Sequence, residues 1–506
     1  MSLRKDLFAV LFLIVVFPLS AQTAKLLTLE KSISLALHQS YQAQLLKENL
    51  TTSRMNLKAA RAAFRSNGEL RFSSLPNYQE TERQTALAGG GFSFDRQQFM
   101  NMQGEIYFNQ PIPQFDGTFS LVGVFQRFQQ FGEYDEFITT GEGLTRVTRT
   151  DPVDFAPQLR LQYRQPLFTL NRLKTGVKKA ELGLENTLQS YTRSQLDIVY
   201  SVTTGFYNLY RSQQQVDIDS AQVEQSRSAY RIGRLKYQAG LLPEVEVLRL
   251  EIDLANARNT LEASRALLER NADQFKLLVG LAQEEEIRVI ADITWTPIDI
   301  SLEKAMQEAL ARRTELHSDE INIELSRLNV QEVDAQREIK GELALRYGIF
   351  NRKDVIADAF RDFNNDRSVV ISMTVPLWDW GRNQAQVEAA YASLRSAELE
   401  RRNRVDQIKQ EIRAAVRDLK SAQMRVEITQ RSTELAEKSY RINLLKFETG
   451  DLSSQELALE QNRLTQARTN YLNAIIDYKQ ALADLRRKTL WDFEHNRPVD
   501  IDLPEL

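Results

Sequence analysis

The sequence predicts a mainly α-helical chain with a smaller β part, built twice over. Three observations predict it: two very long stretches of helical periodicity without proline, short segments that alternate apolar and polar residues, and the return of both in the second half. The 506-residue length would by itself give about three ordinary domains. Glycine and proline, however, are unevenly placed, and long stretches contain neither.

The first element is a targeting segment. Arg4 and Lys5 precede an apolar run from Leu7 to Phe17, closed by Pro18, and Leu19-Ser20-Ala21 supplies a small residue for cleavage. A signal peptide is expected over 1–21, so the remainder is exported. Beyond it no run approaches 18 apolar residues, and no membrane-spanning helix is expected.

The duplication comes next. Leu29-Glu30-Lys31 returns as Leu302-Glu303-Lys304, Ala36-Leu37 as Ala309-Leu310, and Gly68-Glu69-Leu70 as Gly341-Glu342-Leu343. At a second offset Pro166-Leu167 returns as Pro376-Leu377, Tyr230-Arg231-Ile232 as Tyr440-Arg441-Ile442, and Gly240 as Gly450. The offsets differ because the first half carries an insert over about 76–156. The first repeat is read as 22–299, with a helix at 29–66, strands near 69–75 and 157–165, and a helical hairpin over 171–280. The second is read as 300–490, with a helix at 302–340, strands near 342–349 and 368–377, and a hairpin over 383–488. A tail follows at 491–506.

The strands are read from their period. Gln158 to Arg164 alternates strictly, and Val369, Ile371, Met373 and Val375 fall on one side of their segment. Either a covered soluble sheet or a membrane barrel has this pattern. Four strands cannot close a membrane barrel, so the barrel reading needs several chains.

The hairpins are read from length and heptads. The helix from Leu173 to Gln238 would run about 100 Å. Val405, Ile408, Ile412, Ala415, Leu419, Ala422 and Val426 form a heptad seam, with Gln195, Ile198, Val202, Gly205, Leu209, Ser212 and Val216 as a weaker counterpart. Both long helices stop at a turn, Gly240-Leu241-Leu242-Pro243 and Gly450-Asp451-Leu452-Ser453-Ser454. Gly suits the end of a helix, and Pro or Ser the start of the next.

Composition narrows the chemistry. There is no Cys, which excludes disulfides, a thiolate metal site and a cysteine nucleophile. His38, His317 and His495 stand far apart, and no metal site is assigned. The net charge of −3 argues against nucleic acid. No GxxxxGK[ST] occurs, and the abundant carboxylates occupy solvated helix positions. No catalytic residue and no cofactor are assigned, and the chain is not read as an enzyme.

The order of these elements resembles the TolC-type outer-membrane efflux proteins of Gram-negative bacteria over roughly 25–490. The residues that carry the likeness are Leu29-Glu30-Lys31 with Ala36-Leu37, the junctions Gln165-Pro166-Leu167 and Val375-Pro376-Leu377-Trp378, and the turns at Tyr-x9-Gly. The resemblance implies a homotrimer in which each chain gives four strands to one twelve-stranded barrel in the outer-membrane lipid. The helices would form a periplasmic tunnel that docks on an inner-membrane transporter through a periplasmic adaptor. The function implied is the passive exit duct of a tripartite efflux or type I secretion system. The alternative is a structural or adhesive periplasmic coiled-coil protein without a channel, which leaves the alternating strands unexplained.

The resemblance also points to the turns as the site. An acid six residues after the second turn glycine is kept as Glu456, with Glu246 as its repeat mate. The acid expected three further on is replaced by Leu459, with Glu460 adjacent. An acidic ring at the entrance is therefore expected from Glu456, Glu246 and Glu460. The tyrosine and arginine of the family's entrance lock are replaced by Phe447 and Leu452, so apolar packing is expected there. Adaptor docking is expected at the tips, Gly240, Leu241, Leu242, Pro243, Gly450, Leu452, Ser453 and Ser454. The insert, with Gly89-Gly90-Gly91, Pro111-Ile112-Pro113 and an aromatic stretch from Phe119 to Phe131, would add strands, cap the outside or fold back as a plug.

Overall fold

The computed structural model describes residues 25–86, 92–140, 143–336 and 339–499. The expected signal peptide and part of the insert, including Gly89-Gly90-Gly91, lie outside them. In chain order the elements are β1 (Lys25–Leu27), α1 (Leu29–Gln39), α2 (Tyr41–Ala62), β2 (Asn67–Ala86), β3 (Phe92–Ile112), β4 (Gly117–Phe131), β5 (Glu133–Thr140), β6 (Gly143–Thr150), β7 (Val153–Leu167), α3 (Arg172–Gln238), α4 (Glu244–Val279), β8 (Ile287–Val289), α5 (Leu302–Arg312), α6 (Thr314–Asp334), β9 (Lys340–Phe350), α7 (Ile356–Ala359), β10 (Asn364–Thr374), α8 (Arg382–Thr449), α9 (Ser454–Thr489), β11 (Trp491–Asp492) and β12 (Arg497–Pro498). They fall into two compact units. One holds the chain to Lys47 with Thr192–Arg313 and from Gln407 on; the other holds Glu48–Tyr191 and Thr314–Asp406.

The second of these units contains the main sheet, an all-antiparallel six in the order β10-β9-β7-β4-β3-β2. This corrects the expectation of four strands. The insert is neither a cap nor a plug along β3 and β4, because those strands enter the sheet between β2 and β7. Added strands were one of three alternatives that the sequence left open, because β3 and β4 have no counterpart in the second repeat. β5 and β6 pair with each other apart from this sheet.

Cross-strand register sorts the side chains into two faces. One row runs Leu70, Ile106, Gly123, Leu159, Ile349, and a neighbouring row runs Phe108, Leu121, Leu161, Tyr347. Most of these apolar side chains are exposed. The opposite face carries Glu69, Tyr107, Val122 and Arg160 in one row, with Arg71, Glu105 and Gln158 beside them. The period of two that makes one face apolar thus holds across β2, β3, β4, β7 and β9, and continues on β10 at Val369 and Ile371, while Asn365 and Arg367 of β10 end the two rows named above.

In the other unit the heptad seam is the core. Ile408, Ile412, Ala415, Leu419, Ala422 and Val426 are all buried, as are Ile198, Val202, Leu209 and Ser212. Phe206 packs with Phe275, Val279, Leu472 and Ile476, which joins α3, α4 and α9. Two glycines inside α3 permit this approach. A Cβ at Gly205 would stand 2.9 Å from Leu278 Cδ2, and one at Gly233 would stand 2.5 Å from Leu250 Cδ1. Ion pairs Arg211–Asp477 at 3.1 Å and Arg487–Asp197 at 2.8 Å border the seam. Both are part-exposed and add little stability.

The entry helices expected over 29–66 and 302–340 are each broken. Ser40 and its repeat mate Arg313 are extended, and Ser40 Oγ accepts from Ala43 N at 3.2 Å to start α2. The first break is held by the end of α4: a Cβ on Gly280 would lie 2.8 Å from the Gln39 carbonyl oxygen.

Candidate functional site

The two turns are built alike at their first half. Gly240 and Gly450 have φ of +73° and +95°, a conformation that glycine adopts without a Cβ clash. Leu241 N donates to Lys236 O at 2.8 Å and Gly240 N to Tyr237 O at 2.9 Å. Asp451 N donates to Lys446 O at 2.9 Å and Gly450 N to Phe447 O at 3.2 Å. This paired bonding closes the last carbonyls of α3 and α8 in the same way.

Their second halves differ at the helix cap, where Pro243 stands opposite Ser453. Ser453 caps α9, with Glu456 N donating to Ser453 Oγ at 3.2 Å and Ser453 N donating to Glu456 Oε2 at 3.1 Å. The corresponding Pro243 has no hydroxyl and makes no such cap. Glu246 is therefore released from the helix end. It accepts from the Ser454 hydroxyl of the other turn and pairs with Arg249 at 2.9 Å. Glu456 is exposed, and the Ser453 backbone N–H and hydroxyl hold its carboxyl below the usual range. Glu460 lies a turn further along α9. It accepts from Ser439 Oγ at 2.7 Å and pairs with Arg463 at 2.6 Å, and the Ser439 bond leads in lowering its pKa.

The three acids thus have three roles inside one chain. Glu456 caps its helix and faces solvent, Glu246 ties the two turns together, and Glu460 ties α9 to α8. Phe447 is 0% exposed and packs with Ala229, Leu250 and Leu457, with Leu452 half-buried beside it. Lys236 lies 4.7 Å over the Phe447 ring, and its Nζ donates to the Phe447 carbonyl. The apolar packing expected of Phe447 at an entrance is here packing between the chain's own two turns. Lys236 was not singled out from the sequence, and Ser454 was expected as a docking tip and not as a bridge, since their partners stand about two hundred positions away.

The tips differ in polarity. Leu241 is 75% exposed, and Val245, Leu248 and Ile252 continue an exposed apolar stripe up α4. At the matching places the second turn has Asp451, Gln455, Ala458 and Asn462. Leu242 is half-buried, Pro243 and Ser453 are exposed, and Ser454 is buried. Further along the hairpins the contact turns polar. A cavity of about 490 Å³ is lined by Asp219, Gln222, Asp253, Gln461 and Thr465.

Among the described residues no helix is long and apolar enough to cross a membrane. Among the described residues the structure combines a two-faced sheet that ends at β10 and β2, long paired helices and a duplicated plan. The sequence matches the family described as "Outer membrane efflux protein" over 155–281 and 305–489, more than half of the chain. The protein belongs to that family. Its fold is similar to the outer-membrane channel OprN (TM-score 0.66, 15% identity, 91% of this chain and 89% of that one). It is also similar to the CmeC outer membrane channel of Campylobacter jejuni (0.66, 14%, 94% and 87%) and to the outer membrane protein VceC of Vibrio cholerae (0.65, 14%, 91% and 95%). No protein of curated function matches the sequence.

Proposed function

We propose that the chain is the passive exit duct of a tripartite efflux or type I secretion system, working as a homotrimer in the outer membrane with its helices in the periplasm. The observation that carries this reading is the main sheet. It has one apolar face suited to lipid, one polar face suited to water, and an unpaired strand at each edge. A spanning sheet in lipid must close on itself, and one chain's six strands leave both edges open. Further copies close it.

The turns serve the periplasmic end. The Leu241 stripe is the surface for the adaptor, which in turn meets the inner-membrane transporter. Glu456, exposed and held ionised, contributes one carboxylate per copy to a ring that favours cations. Phe447 and Leu452 hold the two turns of each copy together beneath that ring. A coiled-coil protein without a channel would leave the apolar sheet face unmatched.

Fractionation of the envelope tests the reading. The protein should sediment with outer membrane, need detergent for extraction and run as a trimer. Recovery as a soluble monomer after removal of the leader would overturn it.

A further inference from the structure

Each chain contributes a hairpin, β3–β4, that has no counterpart in the second repeat. Three observations show that it is wall rather than ornament. It is bonded on both sides, β3 to β2 from Asn67↔Asn109 onward and β4 to β7 from Thr118↔Arg164 onward. Its side chains keep the alternation of their neighbours: Ile106, Phe108, Phe119, Leu121 and Phe125 share the apolar face with Leu159 and Leu161, and Glu105 and Tyr107 share the polar face with Arg71. Arg71 stands 5.1 Å over the Tyr107 ring on that face.

The third observation is its reach. The turn between β3 and β4 arrives at the point where β7 gives way to α3. Asn171 Nδ2 donates to the Pro113 carbonyl at 2.7 Å, and the backbone N–H groups of Arg172 and Leu173 point at the Asp116 carboxylate at 3.4 Å each. The hairpin therefore runs the full height of the sheet, and its own turn caps the first turn of a tunnel helix.

We infer that the assembled protein has a wall of eighteen strands, in which β10 of each copy pairs with β2 of the next. The number is three copies of six strands and rests on the trimeric duct proposed above. β10 and β2 are the sheet's two edges. Lipid leaves no water to satisfy their free N–H and C=O groups, so the occupant of each edge is a second copy of this chain in head-to-tail order. With strands about 4.8 Å apart and tilted about 40°, eighteen of them enclose a backbone diameter of about 36 Å. Twelve would enclose about 24 Å on the same geometry. The cross-section grows by roughly 2.3-fold, as the square of the strand number. The lumen so formed passes solutes too bulky for a twelve-stranded wall.

Electron microscopy of the detergent-extracted full chain in nanodiscs tests this by counting strands. The chain has no native cysteine, so disulfide pairs report pairing inside the living envelope without background. Val122→Cys with Arg160→Cys, which face each other across β4 and β7, should link within each copy. Arg71→Cys with Arg160→Cys, on β2 and β7 with two strands between them if the hairpin is in the wall, should not link. Trimers of eighteen strands with this pattern support the inference. Trimers of twelve strands, or an Arg71–Arg160 link, overturn it and leave the duct standing. A protein that forms no trimer overturns the duct and the inference together.

Discussion

Replacing Leu161 by arginine probes the sheet most directly. Leu161 lies on β7 between Leu121 and Tyr347 and is 47% exposed in the single chain. The apolar face of β7 reads Phe155, Pro157, Leu159, Leu161, Tyr163. That span covers about 27 Å along the strand, or about 21 Å across the membrane at a tilt of about 40°. Leu159 marks its centre, and Leu161 stands about 5 Å towards one rim. An arginine on the lipid face costs about 2–4 kcal/mol at the midplane and falls to about 0–1 near the interface. The expected cost at Leu161 is therefore about 2 kcal/mol per copy, or about thirtyfold in an equilibrium constant. Leu159→Arg should cost more. Arg160 is one residue away on the polar face, and Arg160→Gln should leave assembly unchanged. Heat-resistant trimer on gels, read against total protein in the outer membrane, gives the comparison. Equal loss from Leu161→Arg and Arg160→Gln, or loss from the latter alone, would refute the assignment of faces.

Other outcomes are expected at the turns. Leu241→Asp with Leu248→Asp, both exposed, should abolish export and adaptor crosslinking while trimers still assemble; export with normal crosslinking would move docking elsewhere. Phe447→Ala removes a fully buried ring between the two hairpins and should cost about 3–5 kcal/mol, seen as proteolytic opening of the turns. Ser453→Ala should cost about 1 kcal/mol, read from hydrogen exchange in the first turn of α9. The depressed Glu456 carboxyl contributes stability that is present above the unfolded glutamate value and is lost as pH falls through the lower folded value. Exchange protection there should therefore persist on acidification until below the usual glutamate range. Glu456→Gln should weaken cation selectivity in planar bilayers with little change in trimer stability. Unchanged selectivity with lowered stability would leave only the helix cap.

Much of this protein is local, and what is local was legible. Helix length follows from the absence of proline, and the buried seam follows from heptads, as Ile408, Ile412, Leu419 and Val426 show. The turns follow from Gly240 and Gly450, whose left-handed φ needs no distant partner. The alternation of β7 and β10 likewise placed their apolar faces. The duplication carried the plan from one half to the other, and it failed where the halves differ. For the insert, added strands stood beside a cap and a plug with nothing to choose among them, because nothing in the second repeat mirrors β3 and β4 and strand partners are chosen by contacts that one strand's period does not encode. The breaks at Ser40 and Arg313 were unread because an extended residue inside a helical pattern leaves no periodic trace.

The site divides in the same way. That Glu246 and Glu456 stand at equivalent places was plain from sequence alone. Their different tasks depend on Pro243 lacking the hydroxyl that Ser453 offers, and on Ser454 arriving from the other turn to take up Glu246. Phe447 is apolar by sequence. Only the fold decided that its ring is buried against Leu250 and Leu457, because burial is a property of the neighbours a side chain meets and not of the residue itself.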